Sequence, residues 1–283
     1  MSIKFFSDIG KKDVAIAGGK GCNLGELYNS RFNVPNGFVV ATRAYKAFLE
    51  SKELQQDMAE QLSKLDISDH KALEKISKEL KRLIMDQEFM EELAKEITEA
   101  IKKLKGSRFA VRSSATAEDL INASFAGQHD SYLNIAKKDI LNNIKKCWAS
   151  LFNARAIYYR HEKKIPHDVA MAVVVQEMVD SDFAGIMFTL DPIRKKYILV
   201  EAATGLGEKV VSGEVTPSSF MLDKKSLEIT EKSLAYTIDE TVIKAIAKIG
   251  LKIERHYKKP QDIEFAVKGK EIFILQSRAI TTL

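Results

Sequence analysis

The chain has 283 residues, 45% hydrophobic and 29% charged, which is typical of a globular protein with one large core or two smaller ones. Its net charge of +5 comes from lysine pairs scattered among acids, which argues against the clustered basic surface of a nucleic-acid-binding protein. Two isolated cysteines are too few for a disulfide framework. Because the sequence also shows no signal-type segment and no membrane-length apolar run, we expect a cytoplasmic protein that binds no nucleic acid and no membrane.

A glycine-rich stretch around Lys20 is the first candidate binding element. Three glycines surround Lys20 and lead into an apolar pattern from Leu24, which predicts a flexible loop entering a helix. Backbone amides without side chains can approach a phosphate closely, and the helix N-terminus adds positive partial charge. The stretch is not a Walker loop, because Val14 and Gly21 stand where that loop needs a glycine and a hydroxyl. A structural glycine turn with an exposed lysine explains the pattern equally well.

Periodic apolar residues predict helices from 42 to 105, with a break at 66–69. The apolar positions recur every three or four residues and charges lie between them, which indicates an amphipathic helical cap.

A short apolar strand, Phe109–Val111, is predicted to deliver Arg112 at its end. Hydroxyl side chains follow, and Thr116 with Asp119 forms a capping pattern that predicts the start of a helical turn. Strand ends that open into polar loops often hold ligands. The alternative is that Arg112 closes a surface salt bridge while the hydroxyls only cap the backbone.

A helix from about 139 to 161 and a buried strand from 169 precede the mixed segment Gln176–Val179. Adenine is usually held by one backbone N–H and one backbone C=O between apolar walls, so this segment is a candidate adenine contact. Plain core is the alternative. A stretch that starts with Gly205 and Gly207 resembles the beginning of a dinucleotide-binding motif, but Val210 stands where that motif has its third glycine. The functional interpretation that remains is a polar, glycine-bearing loop beside a ligand.

The stretch 262–278 predicts a β-hairpin with a Lys-Gly-Lys turn. A three-residue loop at 269–271 places Glu264 opposite Gln276, whereas a two-residue loop slips the register by one. In the first register two oxygen ligands face each other, with Arg278 one side-chain step beyond. Oxygen ligands suit Mg²⁺, and arginine binds phosphate bidentately. The alternative is a surface hairpin whose polar face points at water.

Seven segments occur in a characteristic order: Gly-Gly-Lys-Gly-x-Asn-Leu-Gly-Glu-Leu, Val-Pro-x-Gly-Phe, Phe-Ala-Val-Arg-Ser-Ser-Ala, Ser-Phe-Ala-Gly-Gln, Tyr-Leu-Asn, Gly-Leu-Gly-Glu, and Asp-Ile-Glu-Phe-Ala with Gln-Ser-Arg. Together they resemble the ATP-binding domain of phosphoenolpyruvate synthase, which also occurs in pyruvate phosphate dikinase and rifampin phosphotransferase. The resemblance runs from about Gly18 to Arg278, nearly the whole chain.

The resemblance implies an α+β ATP-grasp fold in which two subdomains, 1–178 with the helical region and 179–283 with the hairpin, clamp ATP and Mg²⁺. It implies three phosphate-binding cations: Lys20, Arg112 and Arg278. It implies three metal ligands: Asp262, Glu264 and Gln276. Adenine would be carried by one segment: Gln176, Glu177, Met178 and Val179. Two glycine-bearing loops would close over the nucleotide: Gly127, and Gly205, Gly207 and Glu208.

The resemblance also implies an ATP-dependent phosphotransferase half-site, which phosphorylates a histidine on a swivelling domain. None of the five histidines here sits in a motif like that acceptor's, so we expect the acceptor domain in cis in a longer protein or in trans. Ala279 follows Arg278 where the family usually has proline. A non-catalytic ATP-sensing or interaction module is the alternative, and the final acceptor, whether pyruvate, an antibiotic or a glucan, stays open.

Overall fold

The computed structural model describes residues 2–49, 52–116, 119–120, 123–124, 130–165, 169–205 and 214–280. The chain divides into two compact units. Unit 1 comprises Met1–Glu26 and Asn36–Met178, and unit 2 comprises Leu27–Pro35 and Val179–Leu283. The sequence analysis assigned 1–178 to one continuous subdomain, whereas in the structure Leu27–Pro35 groups with unit 2.

Unit 1 is built on a five-stranded antiparallel sheet. Its strands are β1 (Ile3–Phe5), β2 (Gly37–Val40), β3 (Arg108–Ala115), β6 (Ser131–Ala136) and β7 (Met171–Glu177). They lie in the order β1-β2-β7-β3-β6. A separate short ladder pairs β4 (Asp119–Leu120) with β5 (Ala123–Ser124).

The helices of unit 1 are α1 (Val14–Asn29, whose last residues belong to unit 2), α2 (Thr42–Phe48), α3 (Lys52–Ser63), α4 (His70–Asp86), α5 (Glu91–Lys103), α6 (Ile140–Ala149) and α7 (Ala154–Glu162). The helical region predicted from 42 to 105 is therefore confirmed. Its predicted break is the cap of α4, where the Asp69 side chain accepts hydrogen bonds from the N–H groups of Lys71 and Ala72.

The single helix predicted over 139–161 is wrong, because the chain leaves the helical conformation between α6 and α7. Asn153 has φ −57° and ψ 138°, and its Nδ2 donates to Asp130 Oδ1 at 3.2 Å. The Asn153 carbonyl accepts from the N–H groups of Ala156 at 2.8 Å and Ile157 at 3.0 Å, so a new helix starts after Asn153.

The two faces of the unit 1 sheet meet different helices. Alternate residues of a strand point to opposite faces. Val111 and its partner Val175 lie in the hydrophobic core that includes residues of α2, α4, α5 and α6. The opposite face meets α1, because a Cβ at Gly21 would lie 3.1 Å from Val39 Cγ2. The sheet thus separates the helical cap from α1.

Trp148 on α6 is the centre of the largest aromatic cluster in that core. Its ring is fully buried, and its centroid lies 4.8 Å from Phe48, 5.7 Å from Tyr45 and 5.7 Å from Phe89. The indole N–H has no hydrogen-bond acceptor among the described residues.

We expect Trp148→Ala to lower the free energy of unfolding of unit 1 by about 3–5 kcal/mol, because it leaves a large cavity. Trp148→Phe should lower the free energy of unfolding by less. It removes a smaller volume, and it also removes a buried N–H donor that has no acceptor among the described residues. Urea denaturation measures both changes. Tyr158→Ala, at an exposed aromatic on α7, is the control and should change stability by less than about 1 kcal/mol. Equal losses for Trp148→Ala and Tyr158→Ala would contradict this account.

Unit 2 contains a six-stranded antiparallel sheet in the order β11-β10-β9-β8-β12-β13. Its strands are β8 (Phe183–Phe188), β9 (Tyr197–Thr204), β10 (Ser218–Asp223), β11 (Ile229–Ser233), β12 (Gln261–Lys268) and β13 (Glu271–Ala279). Antiparallel sheets with flanking helices in each unit confirm the α+β class.

One face of the unit 2 sheet is covered by α8 (Glu240–Tyr257). A Cβ at Gly250 would lie 1.9 Å from Met187 Cε, so glycine lets this helix approach β8 closely. Met187 pairs with Val200 and Ile263, and all three are buried. Residues one position along each strand therefore point to the opposite face.

The last strand, β13, is contacted on its outer edge, at Ile272 and Ile274, by Asn33 from the segment Leu27–Pro35 of unit 2. Ile274 donates its N–H to Asn33 O at 2.8 Å, and Asn33 Nδ2 donates to Ile272 O at 3.0 Å.

Among the described residues, no helix is long and apolar enough to cross a membrane.

Candidate functional site

Helix α1 is interrupted at Gly18, two residues before Lys20. Gly18 has φ 67° and ψ 175°, a conformation that glycine adopts without steric cost. A Cβ there would lie 2.1 Å from Ser114 O, so any side chain would overlap β3. The sequence predicted an open loop before the helix. Instead the helix begins at Val14, and Lys20 lies in the first turn after a break.

The Ser114 hydroxyl joins the two sides of this break. It donates to Ala17 O at 2.7 Å and accepts from the Gly21 N–H at 3.0 Å. Ser114 is fully buried on β3. The segment that carries Lys20 is therefore fixed to β3 by hydrogen bonds on either side of the lysine.

Arg112 lies in the middle of β3 and not at its end as predicted, because the strand extends to Ala115. It pairs with Val174 on β7 and with Ser131 on β6 and is 8% exposed. Since Ser114 is two residues away, Arg112 points to the same face of the sheet as the hydroxyl that binds α1. The structure thus brings the Lys20 segment and Arg112 to one face of unit 1.

The helical turn predicted at Thr116 with Asp119 is wrong. Asp119–Leu120 forms β4 and pairs with Ala123–Ser124. A local backbone ladder has replaced the predicted cap.

Asp130 supports β3 beside Arg112 and was missed by the sequence analysis. Its carbonyl accepts hydrogen bonds from the N–H and the hydroxyl of Ser113, at 3.3 and 2.8 Å. Its carboxylate accepts from Tyr132 Oη at 3.0 Å and forms an ion pair with Arg155 at 3.3 Å. Burial, reinforced by this carboxylate, raises the pKa of Tyr132. The contacts with Ser113 and Arg155 join residues 17 and 25 positions apart, so no local pattern indicates them.

The predicted adenine segment presents its side chains to two faces. Gln176 lies two residues after Val174 on β7, and Val174 pairs with Arg112, so Gln176 and Arg112 point to the same face of the sheet. Gln176 is buried. Glu177 faces the other way, and its Oε1 accepts from the N–H groups of Lys105 at 2.6 Å and Gly106 at 2.8 Å. The Glu177 carboxylate therefore binds the backbone of the segment that connects α5 to β3.

Backbone donors of the same segment are also engaged within unit 1. Glu177 donates its N–H to Asn36 O at 2.8 Å, and Met178 donates its N–H to Arg108 O at 3.0 Å. Met178 Sδ accepts from the Asn134 N–H at 2.8 Å. Glu177 and Met178 thus hold the end of β7 in place.

In unit 2, the final hairpin places Glu264 opposite Gln276, which confirms the predicted pairing. The predicted three-residue loop is wrong, because Lys268 pairs with Glu271 across a two-residue turn. A β-bulge compensates: Leu275 is an extra residue on β13, since Phe265 pairs with Ile274.

Two adjacent pairs form a polar face on this hairpin: Glu264 with Gln276, and Asp262 with Arg278. Arg278 Nε donates to Asp262 Oδ2 at 2.9 Å, and Arg278 Nη2 lies 2.8 Å from the same oxygen. Burial raises the pKa of Asp262, and the Arg278 guanidinium opposes that shift. The polar face lies opposite the face covered by α8, because Ile263 points to that helix.

The polar face continues across the sheet to Glu201. Glu264 pairs with Ile186, and Ile186 pairs with Glu201 on β9, so all three side chains share one face. Burial raises the pKa of Glu201. Sequence reasoning missed this residue, although a single carboxylate inside the apolar run of β9 was a visible signal.

The donor set of the polar face fits Mg²⁺. Two carboxylates and an amide provide hard oxygen ligands, and Mg²⁺ is commonly bound by one or two carboxylates together with substrate phosphates. No group of three or more His, Cys, Asp or Glu side chains suited to a metal occurs within the described residues.

Of the predicted loops over the nucleotide, Gly127, Gly207 and Glu208 lie outside the described residues. Gly205 is described and has φ 83°. Its carbonyl accepts from Ser181 Oγ at 2.9 Å, and its N–H donates to Asp182 O at 3.4 Å. The start of that stretch is thereby tied to the beginning of unit 2.

Comparison with known proteins gives a consistent family. Residues 14–237 and 230–283 match the family model described as pyruvate phosphate dikinase, AMP/ATP-binding domain. A probable phosphoenolpyruvate synthase of Methanothermobacter thermautotrophicus is 44% identical, covering 99% of this chain and 46% of that protein. The phosphoenolpyruvate synthase of Pyrococcus furiosus is 37% identical, covering 99% and 44%. Rifampicin phosphotransferase of Bacillus subtilis is 38% identical, covering 98% and 35%.

The chain spans less than half the length of each of these three relatives. Among solved structures, a D-alanine–D-alanine ligase from Bacillus anthracis aligns with 73% of this chain and 55% of its own at 9% identity and a TM-score of 0.31, a likeness too distant to identify a fold. The family match covers nearly every residue, including the Lys20 segment, β3 and the final hairpin. The chain therefore belongs to the AMP/ATP-binding domain family of pyruvate phosphate dikinase.

Proposed function

We propose that this chain binds Mg·ATP and transfers a phosphoryl group from it to a histidine on a swivelling domain, in cis in a longer protein or in trans. The observation that carries the proposal is the polar face of the β12–β13 hairpin, where two carboxylates, an amide and a guanidinium lie in adjacent pairs. Phosphoryl transfer needs such a set, namely oxygen ligands for a metal and cations for phosphate. Relatives named phosphoenolpyruvate synthase and rifampicin phosphotransferase support the reaction class.

In this proposal the phosphates are bound by Lys20 and Arg112 of unit 1 and by Arg278 of unit 2. These fixed cations stabilise the negative charge that spreads over the phosphate oxygens during transfer. Asp262 keeps Arg278 oriented through their ion pair. Mg²⁺, when bound, would neutralise further charge, and its ligands would be Asp262, Glu264 and Gln276.

The adenine base would be contacted by the backbone of 176–179. Because Glu177 and Met178 already donate their N–H groups to Asn36 and Arg108, the donor for the base would be the N–H of Val179. The loops that carry Gly127, Gly205, Gly207 and Glu208 would close over the nucleotide.

A reconstituted half-reaction tests this function. The chain is mixed with Mg·ATP and a separately produced histidine domain of the same family. We expect phosphohistidine on that domain together with equal amounts of AMP and inorganic phosphate, since one phosphoryl group goes to histidine and the other is released to water. Removing Mg²⁺ with EDTA should abolish all of these products, because without the metal the carboxylates of the polar face repel the ATP phosphates instead of binding them through a shared ion.

The matched control is the same histidine domain with its acceptor histidine replaced by alanine, which should remain unlabelled. If ATP binds but no phosphohistidine forms, transfer is contradicted and a non-catalytic ATP-sensing or interaction module is favoured. If ATP does not bind at all, both functions are excluded.

A further inference from the structure

We infer that Ser114 is a positioning residue that holds Lys20 in place for phosphate binding, an inference that rests on the proposed function. Ser114 lies two residues beyond Arg112 on β3 and on the same face of the sheet. Its hydroxyl bonds to α1 on both sides of Lys20, at Ala17 and Gly21. One buried hydroxyl therefore links the two elements that carry the proposed phosphate-binding cations of unit 1.

The break in α1 explains why an external hydroxyl is needed. Where a helix stops and restarts, the end of the first part leaves carbonyls unsatisfied and the start of the second leaves N–H groups unsatisfied. A serine at the N-cap position normally accepts from such an N–H group. Gly18 occupies the break and has no side chain, so Ser114 supplies the hydroxyl from β3, accepting from Gly21 and donating to Ala17.

The contacts around the break leave little room for movement. At Gly18 a Cβ would lie 2.1 Å from the Ser114 carbonyl oxygen and 2.4 Å from its Oγ, so the two backbones already touch. At Gly21 a Cβ would lie 3.1 Å from Val39 Cγ2. The backbone of Lys20 is thus held between two close contacts.

Fixing that backbone matters because of the chemistry of lysine. Its ammonium is a point charge on a flexible stem, so the protein controls its position mainly through the location of its Cα. A displacement of about 1 Å in a catalytic group can cost about 10²-fold in rate. Without the hydroxyl, the Ala17 carbonyl and the Gly21 N–H lose their buried partner, and the turn carrying Lys20 is expected to shift.

The first test compares two neighbouring serines. We expect Ser114→Ala to lower kcat/KM for ATP in phosphohistidine formation by about 10- to 100-fold. Ser113→Ala is the matched control, since Ser113 is also buried on β3 and its hydroxyl also donates to a backbone carbonyl, that of Asp130 at 2.8 Å. Ser113 points to the opposite face, away from α1, and Ser113→Ala keeps the N–H bond to Asp130 O at 3.3 Å. The rate of this variant should therefore stay within about 2-fold of wild type. Ser114→Thr restores the hydroxyl and should recover most of the activity.

A double-mutant cycle separates positioning from a general loss of structure. If Ser114 acts through Lys20, then Ser114→Ala should change the residual rate of Lys20→Met by less than about 2-fold. A purely structural role would lower the rate by the same factor in both backgrounds. Melting temperatures of all variants identify any that fail to fold, and Ser114→Thr then provides the comparison.

The possible failures are distinguishable. An inactive wild-type chain overturns the proposed function and this inference together. An active wild type in which Ser114→Ala behaves like Ser113→Ala, or in which the cycle shows no coupling to Lys20, overturns the inference alone.

Discussion

Lys20→Met is expected to lower the rate of phosphohistidine formation by about 10²- to 10³-fold, the usual cost of removing one preorganised charge from a transition state. Methionine preserves most of the apolar stem and removes only the ammonium. Lys20 is half-buried beside a break that is held from β3, so its charge is preorganised before substrate binds. Rapid-quench measurement of labelled histidine domain gives the rate.

Lys12→Met is the control for this variant, because Lys12 is an exposed lysine just before α1. It should react at the wild-type rate, and both variants should keep the wild-type melting temperature. Equal rates for Lys20→Met and wild type would remove Lys20 from the phosphate site.

Glu264→Ala and Arg278→Ala are each expected to abolish most of the thermal stabilisation by Mg·ATP. With ligand at one hundred times Kd, wild type gains about 2.7 kcal/mol, whereas a variant with about 100-fold weaker binding gains only about 0.4 kcal/mol. Both residues lie on the polar face, opposite the face packed by α8, so the fold itself should persist. Thermal shift assays with and without Mg·ATP measure the difference.

Glu271→Ala provides the matched control on the same hairpin. Glu271 is an exposed carboxylate beside the turn, where it pairs with Lys268. Its variant should keep the full shift with Mg·ATP. An unchanged shift in both Glu264→Ala and Arg278→Ala would show that the metal and phosphate site lies elsewhere.

The hairpin shows how far local pattern carries a prediction. The alternation of apolar and polar residues indicates which side chains share a face, but the predicted pairing of Glu264 with Gln276 depended on an assumed three-residue loop. The turn length was predicted wrongly, but the extra residue Leu275 restored the register. A bulge has no distinctive composition, so the sequence alone does not determine the register of this hairpin.

Local periodicity also predicts the helical region from 42 to 105, because its amphipathic stripe is read directly from neighbouring residues. The candidate site is different. The contact between Ser114 and Gly21 joins residues 93 positions apart, and the row from Glu264 to Glu201 depends on strand order. Residue types on single segments indicate cations and oxygen ligands, but their neighbours follow from topology.

The Asn33 contact with β13 has a consequence for the order of folding. It joins residues 239 positions apart, and β13 would otherwise present a bare edge to other chains. Closing so long a loop costs entropy that only late, cooperative contacts recover. During synthesis, residues 27–35 emerge early but can make this contact only after the last strand has been synthesised. A chain divided after Met178 would separate the segment Leu27–Pro35 from the edge of β13 that Asn33 contacts, and we expect unit 2 then to aggregate through that edge.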